Sequence, residues 1–334
     1  MTAVFTYANP ARVHWGPGSR AALADLRNVA LVTTRSLAAA AASRLGLEPV
    51  TTVVIGQHAP VADVEAGEVA VRASGADALV SFGGGSPIDA AKLISIRLGG
   101  LPHHAVPTTL SAAELAAGAG MTDADGNKVG VRDPRGLVDA VIYDPELAVD
   151  TPLDLWLSTG VRALDHAVEG FLAPGEHPFN DVLALEAVRR LLQTLPEAKG
   201  RPDDVAVRGE NQLAAWFSMT LPEAAAGGLS HVMGKQIGAR HGIPHGVTSC
   251  LLLSHVLAYR AQLQPERIPP LAAAMGGEPA VCVADLVVRL DLPRRISQFG
   301  LTETDLRTAA EGVSAALRGA YAQEDVLAIY EAAL

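Results

Sequence analysis

Short β-branched runs, each followed by a stretch of helical character, constrain this chain more than anything else in it. Residues 29–33 (VALVT), 50–55 (VTTVVI) and 78–82 (ALVSF) read as short buried strands. Between them lie an alanine-rich helix over 36–46, which Gly46 can close, and a second helix over 60–74. A third helix runs from Pro87 to about Leu98, a short strand starts at 105–107, DADGNK (123–128) has the composition of a hairpin turn, and 138–143 is a further strand. Alternation of this kind predicts a parallel sheet with helices on both faces. After TPLD (151–154) the period changes to 3.6 residues. Helices are expected over 152–172, 178–195, 203–221, 222–239 and 246–262, with more to the end. The boundary is placed at 150–152. This gives an α/β N-terminal domain over 1–151 and an all-α C-terminal domain over 152–334.

At 334 residues the chain can bury two cores. A net charge of −10 argues against nucleic acid as a partner, since a basic patch is expected there. The two cysteines, Cys250 and Cys282, lie in apolar runs and form no disulfide framework, which fits a reducing cytoplasm. The opening MTAVFTYANPARVHW lacks the pattern of a secretory signal. No apolar run reaches the roughly 18 residues of a helical membrane span, so no membrane partner is expected.

Two turns carry chemistry. FGGGSPIDAAK (82–92) follows a strand and opens a helix. Gly83, Gly84 and Gly85 remove every Cβ where the backbone turns, so a phosphate can approach the amide groups, and the helix N-terminus favours its charge. Ser86 can cap the helix or donate to the phosphate. The same letters also suit a plain tight turn at a sheet edge. Asp89 can touch a cofactor or hold the loop, and Lys92 reads equally as a solvated residue or a ligand. VPTTLSA (106–112) places Thr108 and Thr109 at a strand's carboxyl end, where open α/β sheets contact cofactors.

The helical half carries a histidine constellation. Arg162 and His166 lie four apart and share a helix face, as do His231 and Lys235. His245 follows Pro244, fourteen residues after His231. Imidazoles on facing helices suit a cation. The remaining histidines, His241 among them, are given no role.

GGGSPIDAAK, VPTT, GVRALDHAVEG (160–170) and HVMGKQIGARHGIPHG (231–246) together resemble the iron-containing alcohol dehydrogenase superfamily. The segment 106–147 resembles its maleylacetate reductase branch. The resemblance implies a Rossmann-like domain joined to an all-helical one, the dehydroquinate synthase-like fold, with NAD(P)H in the cleft between them. It also implies pyrophosphate over Gly83, Gly84, Gly85 and Ser86, with Thr108 and Thr109 near the cofactor and Lys128 near the nicotinamide ribose. Asp89 is counted with them. Many members bond the adenosine ribose with an Asp after the first strand. Here Thr34 and Arg35 stand there, which leans toward tolerance of NADPH. A homodimer is implied by the family alone.

Metal-dependent members carry an Asp four residues before the first histidine ligand and a proton-transfer histidine four after the second. This chain has Arg162 and Lys235 at those positions. Arginine cannot ligate a cation and repels one. Asp165 stands roughly 100° around the helix from His166 and is a poor substitute. The expectation is therefore that no catalytic metal is bound; an Fe or Zn ion, if there were one, would sit on His166, His231 and His245. Arg162, Lys235 and the three histidines would form a cationic pocket for a small anionic enone, oxo acid or related electrophile, with Lys235 or a histidine supplying the proton. The opposing reading pairs Arg162 with Asp165 or Glu169 and turns Lys235 to solvent. Three rival functions stay open: a metal-dependent alcohol dehydrogenase, a non-redox enzyme for cyclisation, elimination or condensation on the same scaffold, and an inactive cofactor-binding relative.

Overall fold

The structure is a computed structural model that describes residues 7, 9–124 and 128–334. Two compact units make up the chain. One comprises Tyr7–Thr151 with Asp203–Leu213, and the other Pro152–Pro202 with Ala214–Leu334.

In the first unit six parallel strands form one sheet in the order β1-β8-β5-β4-β2-β3. They are β1 (Arg12–Trp15), β2 (Val29–Thr34), β3 (Thr51–Ile55), β4 (Ala78–Gly83), β5 (His103–Pro107) and β8 (Ala140–Tyr143). Strands β6 (Gly118–Thr122) and β7 (Lys128–Arg132) pair antiparallel as a separate ribbon, as the DADGNK composition predicts; residues 125–127 of that turn lie outside the described residues. Every residue of β4 and β5 is buried, which explains why these strands read as unbroken apolar runs. The edge strand β3 alternates and keeps one face exposed. Helices α1 (Ala38–Leu45), α2 (Val61–Ser74) and α3 (Gly85–Arg97) connect the strands, and Gly46 ends α1 at φ +67°. The chain leaves β2 toward β3 but leaves β4 toward β5, on the other side. The carboxyl ends of β2 and β4 therefore flank a topological switch point, where open α/β sheets bind ligands. A short α4 (Pro145–Ala148) follows β8.

The second unit is helical. Its helices are α5 (Leu153–Phe171), α6 (Pro178–Gly200), the end of α7 (Val205–Phe217), α8 (Pro222–Ala226), α9 (Leu229–His241), α10 (His245–Leu263), α11 (Ile268–Met275), α12 (Pro279–Arg289), α13 (Glu303–Ala316) and α14 (Gln323–Ala332). The single helix expected over 222–239 is two, broken at Gly227 and Gly228. A Cβ on Gly228 would stand 2.1 Å from Glu169 Oε2, so a packing contact and not the local pattern sets the break. The core of α9, α10, α13 and α14 gathers Met233, Ile237, Leu252, Val313 and Tyr330. Pro265–Arg289 is apolar enough to cross a membrane by composition, yet it is divided between α11 and α12, each far short of the roughly 20 residues a span requires.

Candidate functional site

The glycine turn lies at the switch point. Gly83 takes φ +143°, a region closed to most side chains, and a Cβ there would meet Pro87 Cγ at 2.8 Å. A Cβ on Gly84 would come within 3.1 Å of Thr109 Cγ2. The Thr108 amide donates to the Gly83 carbonyl at 2.8 Å, so the two turns read separately from the sequence are one structure. Ser86 Oγ accepts from the His58 amide at 2.9 Å, a role that uses an oxygen lone pair and not the hydroxyl hydrogen. Thr34 ends β2 beside this turn, its hydroxyl 3.1 Å from Ser36 Oγ. Asp89 Oδ2 accepts from the Gly120 amide at 3.0 Å and so holds the β6 ribbon. The side chain of Lys128 lies outside the described residues. Close backbone, a helix N-terminus and hydroxyls at two strand ends fit a dinucleotide's pyrophosphate.

Lys92 is not solvated, which corrects that reading of it. It is 0% exposed and donates to the carbonyls of Ala113, Ala116 and Gly118, fastening the segment that follows Thr108 and Thr109. Replacing it with methionine keeps the volume but strands these acceptors. Lys92→Met is expected to lower stability by about 2 kcal/mol, read as a fall in the urea midpoint at constant slope.

In the helical unit, α5 presents Arg162, Asp165, His166 and Glu169 from consecutive turns, all buried. Arg162 Nη1 donates to Asp165 Oδ2 at 3.0 Å and to Ser249 Oγ at 3.0 Å. Its Nη2 lies 3.2 Å from His231 Nε2. Asp165 Oδ2 also accepts from Ser230 Oγ at 3.0 Å and Ser249 Oγ at 2.6 Å. The rings of His166 and His231 stand 6.1 Å apart between centroids. Burial first, and then the positive charges of Arg162, His245 and Lys235, hold the His166 imidazolium far below its usual range, so His166 is neutral. Direct contacts bring Arg162, His166 and His231 together, with Lys235 one turn beyond His231 on α9 and His245 at the start of α10. Lys235 is exposed and His245 half-buried.

A divalent ion does not fit this donor set. Among the described residues no three or more His, Cys, Asp and Glu side chains gather as a metal site. More decisive is the guanidinium on His231 Nε2. An ion at that nitrogen would face a fixed positive charge, a repulsion of roughly 4 kcal/mol per unit charge at ~4 Å in a protein environment. The structure pairs Arg162 with Asp165 and leaves Lys235 exposed, as the opposing reading had it and against a fully cationic pocket, so the charge of Arg162 is compensated and the site is less positive than the residue count implies.

Glu169 is the residue the sequence reading undervalued. Gly228 caps α9 with no side chain; instead Glu169 Oε1 reaches across from α5 and accepts from the Ser230 amide at 2.8 Å. Burial, and next the charge of Asp165, push the Glu169 carboxyl up to about 7, while Arg260 pulls it down. The native state therefore keeps a proton that the unfolded chain releases at lower pH. Its contribution to stability falls as pH rises from the ordinary carboxylate range to about 7. Glu169→Gln keeps the capping oxygen and removes the ionisation. Urea midpoints of that variant are expected to change less between about pH 5 and about pH 7 than those of the parent.

Comparison with known proteins bears on both constellations. Residues 10–145 match the family described as Iron-containing alcohol dehydrogenase, and 156–334 the one described as Fe-containing alcohol dehydrogenase family, C-terminal. The chain belongs to the iron-containing alcohol dehydrogenase family. Within that family it is similar to maleylacetate reductase from Rhizobium sp. (strain MTP-10005), 32% identical over 92% of this chain and 90% of the relative. Maleylacetate reductase from Sphingobium indicum is 32% identical over 90% of this chain and 88% of that protein. The crystal structure of maleylacetate reductase from Agrobacterium tumefaciens superposes with a TM-score of 0.89 at 29% identity, covering 100% of this chain and 99% of that one. An iron-containing alcohol dehydrogenase from Corynebacterium glutamicum gives 0.91 at 26% identity, covering 100% and 98%. This family member is an NAD(P)-dependent oxidoreductase with the two-part fold the sequence implied.

Proposed function

We propose that this chain reduces maleylacetate or a closely related small anionic enone or oxo acid with NAD(P)H, without a resident divalent ion. The observation that carries the substrate class is 32% identity to a maleylacetate reductase across 92% of the chain. The metal-free part rests on the guanidinium at His231 Nε2.

In this reading Gly83, Gly84, Gly85 and Ser86 hold the pyrophosphate, with Thr34, Thr108 and Thr109 at the strand ends and Asp89 and Lys128 beside them. A bound nicotinamide supplies hydride chemistry. Reduction builds negative charge on a substrate oxygen, and a proton must follow. Neutral His166 carries no spare proton. His231 presents Nε2 to a group that only donates. That leaves Lys235, with His245 as the second choice, to deliver the proton. No acid follows β2, so both NADH and NADPH are accommodated. Cytoplasmic location and a homodimer belong to the same proposal.

The test is nicotinamide oxidation with maleylacetate before and after exhaustive chelation, beside metal analysis of the purified protein. Unchanged turnover and no bound metal are expected. One tightly held Zn or Fe per subunit would return the chain to the metal-dependent alcohol dehydrogenases, and turnover without nicotinamide would make it a non-redox enzyme. Lys235→Met is expected to lower kcat by about 10²–10⁴-fold while cofactor affinity, read by NADH fluorescence, holds.

A further inference from the structure

His231 has its ring nitrogens in opposite situations. Nε2 faces Arg162 Nη2 at 3.2 Å. Nδ1 is buried and has no hydrogen-bond partner among the described residues. A guanidinium has donors and no acceptor, so the nitrogen it meets must be unprotonated. In a neutral imidazole the single hydrogen is then on Nδ1. An imidazolium would aim an N–H at the guanidinium, losing the bond and adding a like charge.

The guanidinium is not free to swing away. Its Nη1 is held by Asp165 Oδ2 and by Ser249 Oγ, and that carboxylate oxygen is itself held by Ser230 and Ser249. These contacts tie α5, α9 and α10 together at one carboxylate. Side chains of Arg162 and Asp165 are 6% and 1% exposed, so water does not compete for the pair.

We propose that Arg162 and Asp165 are positioning residues that lock His231 as the neutral Nδ1–H tautomer, so that His231 serves only as an acceptor that fixes the guanidinium and takes no part in proton delivery. The arrangement amounts to an internal organic cation, anchored by its own counter-ion, standing against a histidine. It concerns the resting protein and depends on no choice of substrate.

Two arms test it. Nitrogen NMR of histidine-labelled protein, with the His231 signals assigned through His231→Gln, reads the tautomer without turnover. The parent is expected to show Nδ1 protonated and Nε2 bare, and Arg162→Met to move His231 toward the Nε2–H form. A protonated Nε2 in the parent overturns the proposal, whether or not any variant folds. The second arm compares His231→Gln with His231→Leu under reductase assay. Glutamine offers an oxygen to the guanidinium, so its kcat is expected within about tenfold of the parent, whereas leucine strands a buried donor and loses far more. Equal losses of about 10²–10⁴-fold in both would mark His231 as a proton-transfer group and overturn the proposal. Failure of the maleylacetate assay leaves the NMR arm intact, so the two readings fail separately.

Discussion

Asp165→Ala is expected to cost about 3–5 kcal/mol of folding stability, a large part of what holds most domains together. Asp165 Oδ2 receives Arg162, Ser230 and Ser249, and its side chain is 1% exposed. Alanine removes all of that while leaving the guanidinium inside, and an unpaired buried charge is the expensive outcome. Removing both charges behaves differently. Arg162→Met with Asp165→Leu replaces the pair by apolar groups of similar bulk, and such replacements are often close to neutral. The double variant is therefore expected to unfold near the parent's urea midpoint while losing reductase activity. A single variant costing less than about 1 kcal/mol would mean that water reaches the pair. The comparison separates what the pair does for the fold from what the fixed guanidinium does in the site, because only the second survives as a defect in the double variant.

What the sequence displayed and what it hid divide along one physical line. Buried strands β2, β4 and β5, the glycine turn and the helix ended by Gly46 are local events, set by side-chain shape and backbone freedom within a few residues. They were legible, and so was the family, because its motifs are contiguous. Strand β1 was not: four residues of mixed polarity at a sheet edge pair with β8 far along the chain. The interruption between α8 and α9 was hidden because its cause, Glu169, lies on another helix. Lys92 read equally as a solvated helix residue or a ligand, since nothing local announces the carbonyls of Ala113, Ala116 and Gly118. That Arg162 can pair with Asp165 or Glu169 was readable from the sequence. That Ser230 and Ser249 would close on the same oxygen was not, because it depends on how α9 and α10 pack on α5. The candidate site was thus readable as a set of residues but not as a network.

Gly246→Ala carries the second large effect, and it acts on geometry alone. A Cβ at this position would lie 2.7 Å from Ser158 C, 2.8 Å from Ser158 O and 3.0 Å from Thr159 N. Those atoms are backbone of α5, so no side chain can rotate out of the way; α5 or α10 must shift. One methyl group is expected to cost about 3 kcal/mol, the upper end of ordinary overpacking. The same shift separates His245, next to Gly246 on α10, from His166 and Arg162 on α5. A displacement near 1 Å in such a site typically costs about 100-fold in rate, so kcat is expected to fall by that order even at temperatures where the variant stays folded. Gly200→Ala is the control. Gly200 ends α6 with nothing within 4 Å of its Cβ position, and alanine there is expected to be neutral or to stabilise by up to about 1 kcal/mol. If Gly246→Ala matched that control in both urea midpoint and kcat, the close approach of α5 and α10 would not be what sets the histidines in place. The contrast turns on contact distance and not on residue type: the same chemical change is harmless where the helix faces water and damaging where two helices meet backbone to backbone.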